Sequence, residues 1–176
     1  MAMLDLIKYR HLIIDNKFND RWFYVVDEEK YFKQIRNLRQ KSIKLLESCE
    51  RNKVDIVPEG FSNHIWWNVG HLLVAWDSMT YPYMNKIGKL PDMYYRLFPK
   101  GTRPSEWAET PPSYQEVFTL FNNQVEEIIE ACKGQLHKPL TIPFIPRVDT
   151  MEKMIKFLMK EETKHYQVIE RIKIAL

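Results

Sequence analysis

The placement of proline constrains this chain more than any other feature, because an interior proline removes a helix hydrogen bond and clashes with the preceding turn. Prolines stand at positions 58, 82, 91, 99, 104, 111, 112, 139, 143 and 146 of the 176 residues. Three long stretches are free of them and a fourth, residues 62–81, runs up to one. That spacing predicts four long helices.

The first is expected over residues 28–51, with Tyr31, Ile35, Leu38, Ser42, Leu45 and Cys49 at three- and four-residue steps forming an apolar stripe. The second starts near Ser62 as N-cap, is apolar nearly all round, and meets Pro82, which either ends or kinks it. The third opens with Ser113 and Glu116, the spacing of a capping box, carries Tyr114, Val117, Phe118, Phe121, Val125, Ile128 and Cys132 as its stripe, and stops at Gly134. The fourth starts at Asp149 with Glu152, or at Thr150 alone, and reaches nearly to Leu176.

Helices of this length cannot bury their stripes separately, so the predicted fold is an all-α four-helix bundle over residues 27–176. The connections 82–112 and 135–148 are too long for minimal turns, which predicts long crossovers with short extra helices such as one over residues 93–97. Residues 1–26 form an N-terminal extension whose pattern leaves a hairpin and a short helix both open.

Composition narrows the function classes. Hydrophobic residues make up 45% and aromatics 13%, enough for a core and unlike a disordered chain. A net charge of +3 without a concentrated basic stripe gives no expectation of nucleic-acid binding. Cys49 and Cys132 have no Cys or His partner at zinc-finger spacing, and two cysteines make no disulfide framework. No run approaches the ~18 apolar residues of a membrane span, and the charged start lacks the apolar stretch of a secretory signal. The expectation is a soluble cytoplasmic protein without membrane partners.

Polar side chains fall where a bundle wants apolar ones. On the fourth helix His165 shares a face with Met151, Met154, Leu158, Ile169 and Ile172; Glu161 lies four residues earlier on that face, and Glu162 falls to the other side. On the second helix His71 stands one turn after Trp67, with His64 two turns earlier. Bundle metal sites are built from inward-facing His, Glu and Asp on different helices. His71, Glu161 and His165 together offer three N/O ligands with room for water, a set suited to Zn, Ni, Fe or Mn. A second reading stands beside it: a lone core histidine bonded to backbone, and a Glu–His pair on a solvated face.

The runs PEGFSNHIWWNVGHLL, DMYYRLFPKGTRPSEW and PPSYQEV resemble the DinB/YfiT-like family of bacterial four-helix proteins over roughly residues 28–176. In that family a histidine in a context like WNVGHLL joins two positions four apart near the C-terminus to hold a divalent metal. The resemblance maps these onto His71, Glu161 and His165, with Glu161 where the family usually has a second histidine. It implies a metal-dependent enzyme of transferase or hydrolase type, acting on a small molecule, with a low-molecular-weight thiol as cosubstrate.

On that reading Glu162 or His64 relays a proton, while the competing roles are a solvated charge for Glu162 and a backbone-bonded first-turn residue for His64. Trp66, Trp67 and Trp76 line either a pocket or a subunit interface, and the all-round apolarity of the second helix favours a homodimer. Asn68 and Ser78 are candidates to orient His71. Two further classes compete with the enzyme: a noncatalytic metal- or ligand-binding bundle, and a structural or regulatory dimer without metal.

Overall fold

The computed structural model describes residues 27–176, and the expected N-terminal extension lies outside them. Five α-helices follow in order: α1 (Glu28–Glu47), α2 (Ile65–Ser78), the short α3 (Asp92–Leu97), α4 (Tyr114–Cys132) and α5 (Met151–Ala175). Each of α1 and α2 packs on both α4 and α5, so α1 lies diagonally across the bundle from α2. The expected all-α bundle is therefore the fold, and among the described residues no helix is long and apolar enough to cross a membrane.

Helix starts follow local chemistry. Asp27, Ser113 and Thr150 each accept a hydrogen bond from the backbone N–H three residues on, which satisfies one of the orphan donors of a first turn. The Ser113 box is only half closed, because the Glu116 carboxylate accepts from Tyr94 Oη at 2.9 Å instead of turning back to the cap. α2 begins later than expected. Its cap is His64, whose Nδ1 accepts from Trp67 N–H at 2.9 Å, and not Ser62.

Helix α1 ends at Glu47, short of the expected Arg51, and Cys49 sits beyond it. Its buried residues are Phe32, Ile35, Arg39, Ser42, Ile43 and Leu46, so the stripe is rotated from the expected one that ran through Tyr31, Leu38 and Leu45. The rotation brings Arg39 inward. At 1% exposure its guanidinium makes a two-pronged bond to the Glu162 carboxylate, 2.9 Å on each arm, and donates to the Phe121 carbonyl at 2.6 Å. Ser42 Oγ and Trp76 Nε1 complete the carboxylate's shell at 3.0 and 2.7 Å. A buried charge persists only when paired and hydrogen-bonded in this way.

Helix α2 stops at Ser78, and Pro82 opens a separate 3-10 turn, so the helix ends before the proline and is not kinked by it. Its apolar circumference meets α3, α4 and α5 of the same chain. In the long connection after it, the short helix expected over 93–97 is α3, which starts one residue earlier at Asp92. Gly70 admits α3's last turn: a Cβ there would lie 2.3 Å from Phe98 Cδ1.

Candidate functional site

A cleft of about 570 Å³ opens along the seam of α2 and α5. Trp67, Asn68, His71, Ala75 and Met79 line it from α2 and its C-terminal end, and Phe157, Glu161, Lys164, His165 and Val168 from α5. Loops supply Phe61, Ser62, Asn63, Lys100, Gly101 and Phe144. His71 and His165 meet here with ring centroids 4.7 Å apart, and Trp67 stacks on His71 at 4.9 Å.

Each imidazole is held through Nδ1. His71 Nδ1–H donates to the Phe98 carbonyl at 2.8 Å, since a carbonyl can only accept. His165 Nδ1 lies 2.8 Å from Asn68 Oδ1. The Asn68 amide is oriented by its own Nδ2, which donates to the His64 carbonyl at 2.9 Å, so Oδ1 accepts and His165 Nδ1 carries the proton. Among the described residues neither Nε2 has a hydrogen-bond partner.

Burial disfavours the charged form of both rings. It pushes His165 down to about 3, helped by His71 and Lys164 nearby. His71 is lowered too, by burial first, while its bond to Phe98 and the Glu161 carboxylate pull the other way. A neutral imidazole protonated on Nδ1 presents an Nε2 lone pair, the form in which histidine binds metals.

Glu161 lies in the cleft, its side chain 29% exposed and 3.7 Å from Lys164 Nζ. Among the described residues no three His, Cys, Asp or Glu side chains already form a metal-holding group. Two other expected residues stand outside the cleft. Glu162 is locked into the core by Arg39, neither solvated nor within reach of a substrate. His64 is spent as the α2 cap and packs between Trp66 and Trp107, at 5.6 and 5.7 Å; burial pushes it down to about 4. Of Trp66, Trp67 and Trp76 only Trp67 lines the cleft, while Ser78 back-bonds to the Val74 carbonyl.

Phe98 and Lys100 were not singled out from the sequence. Phe98 acts through its backbone carbonyl, which no side-chain pattern marks, and Lys100 reaches the cleft because the chain turns at Gly101, where φ is +96°.

A search of curated proteins returns no match. The family model described as the DinB superfamily matches residues 34–169, from the second turn of α1 to near the end of α5 and across every cleft residue. With that match over most of its length, this chain belongs to the DinB superfamily.

Proposed function

We propose that the α2–α5 cleft is the active site of a metal-dependent enzyme of transferase or hydrolase type. His71 Nε2, His165 Nε2 and the Glu161 carboxylate would hold one Zn, Ni, Fe or Mn ion. The observation that carries this reading is the pair of Nδ1 bonds, which fix both tautomers and leave both Nε2 lone pairs unclaimed in one cleft. Two neutral imidazoles and one carboxylate are a donor set those metals accept.

Completing the set requires Glu161 to leave Lys164. That exposed pair, at 3.7 Å, is worth at most about 1 kcal/mol, so the turn is cheap. Bound there, the metal supplies Lewis acidity and a water or thiol of lowered pKa at neutral pH. The chain's own residues do the positioning: the Phe98 carbonyl and Asn68 aim the imidazoles, and Trp67 holds the His71 ring from its face. Among the described residues Glu161 is the one carboxylate lining the cleft, so it serves as ligand or as proton acceptor, not both at once. The family resemblance supports a low-molecular-weight thiol as cosubstrate.

Elemental mass spectrometry of the purified protein tests the reading, with His165→Ala as control. About one equivalent of a transition metal that is lost in the variant is expected. No uptake after incubation with each of the four ions overturns it and leaves a metal-free ligand-binding bundle.

A further inference from the structure

The cleft is chemically bipolar, and from that we infer that its substrate is a small amphiphilic organic anion, bound with its carboxylate at Lys100 and its apolar body against Phe144 and Phe157. The inference rests on the site reading above only in placing the reacting centre between these ends.

The polarity follows from helix register. Asn68 meets His165 and Trp76 meets Glu162, so α2 and α5 run antiparallel along the seam. Ala75 and Met79, four and eight residues beyond His71, therefore lie at the same end as Phe157, eight residues before His165. Phe144 closes that end, edge-on to Phe157 at 5.3 Å. Lys100 belongs to the opposite end, tied to the N-terminal turns of α2. The distance from His71 to Met79 along the helix is roughly 12 Å, the length of a molecule of ten or so heavy atoms.

Lys100 lines the cleft as an exposed side chain on an anchored loop. Its loop is stapled to α2 on both sides of it: His71 Nδ1–H donates to the Phe98 carbonyl, and Trp67 Nε1 donates to Thr102 Oγ1 at 3.0 Å. Thr102 in turn donates to the carbonyls of Leu97 and Pro99 at 2.7 and 2.9 Å. Lys100 lines the cleft and makes no ion pair among the described residues. Among the described residues the Lys, Arg, Asp and Glu side chains lining the cleft are Lys100, Lys164 and Glu161, two cations to one anion. Of the two lysines Lys100 is the one without a carboxylate within ion-pair distance among the described residues, and an anionic group answers it where a cationic one does not.

Calorimetric titration of the full chain with 4-phenylbutyrate and with its neutral counterpart 4-phenyl-1-butanol tests this. The carboxylate is expected to bind about ten-fold tighter, the size of one charge-assisted hydrogen bond. Lys100→Gln should remove most of that preference and leave alcohol affinity unchanged, while Phe157→Ala weakens both ligands alike. Equal binding of the two probes, a preference untouched in Lys100→Gln, or binding of neither overturns the inference. Metal content measured on the same samples separates the two readings. A preserved preference in protein that takes up no metal overturns the proposed enzyme and not the anion cleft, and bound metal without preference does the reverse.

Discussion

Glu161 and Glu162 share a peptide bond and stand in different media. Glu161 faces the cleft, and Glu162 is 1% exposed inside a shell of Arg39, Ser42 and Trp76. Replacing Glu162 by Gln strands a buried guanidinium, and urea unfolding should show a loss of roughly 3–5 kcal/mol. Glu161→Gln should leave stability within about 0.5 kcal/mol, as exposed sites do, while abolishing metal uptake. His64 carries a pH signature. Its folded pKa, about 4, lies below its unfolded value, so between about 6.5 and 4 the unfolded chain binds a proton that the folded one refuses. Stability is therefore complete above that window and declines as pH falls through it, and His165 has the same sign, extending toward 3. His64→Asn keeps an N-cap acceptor and removes this titration. Its stability should fall less steeply between pH 6.5 and 4, measured by urea unfolding at each pH, whatever the loss of ring packing does to the absolute value.

At the scale of elements, α2 and the loop behind α3 form one unit through Gly70, Phe98 and His71. A glycine inside a helix costs roughly 0.5–1 kcal/mol against alanine, yet alanine at 70 would strike the Phe98 ring. Gly70→Ala should therefore destabilise by about 1–3 kcal/mol, read from urea midpoints. It should also weaken metal uptake, because a displaced Phe98 takes the His71 acceptor with it. The four long helices were legible from prolines, caps and stripes, since those signals are local in the chain. The inward turn of α1 was not. Arg39 reads as a surface charge until Glu162, 123 residues away, is placed opposite it. His71 and His165 were legible as core-facing polar residues, whereas the acceptors that set their tautomers are a backbone carbonyl and an amide whose orientation depends on His64.

For the whole molecule, the diagonal arrangement sends the α1–α2 and α4–α5 connections across the bundle, whereas the longest one, 79–113, joins the neighbours α2 and α4 and so is not the crossover expected of it; the cleft walls gather from α2, α5 and three loops. A ligand joining α2 to α5 should stabilise the fold by mass action. Adding the ion found by elemental analysis should raise the thermal midpoint of wild type and leave that of His165→Ala in place. Helix α5 is pinned at three heights, by Tyr31 on Glu152, Arg39 on Glu162 and Asn68 on His165. One residue inserted just before Glu161 would swing everything beyond it by about 100°, carrying Glu161 into the buried place of Glu162 and Glu162 on to the exposed place of Thr163. Chain length within residues 152–165 is thus as strictly constrained as any side chain there. In a scan of single-residue insertions, tolerated ones should cluster in 52–61, 85–90 and 135–148 and vanish across that stretch of α5.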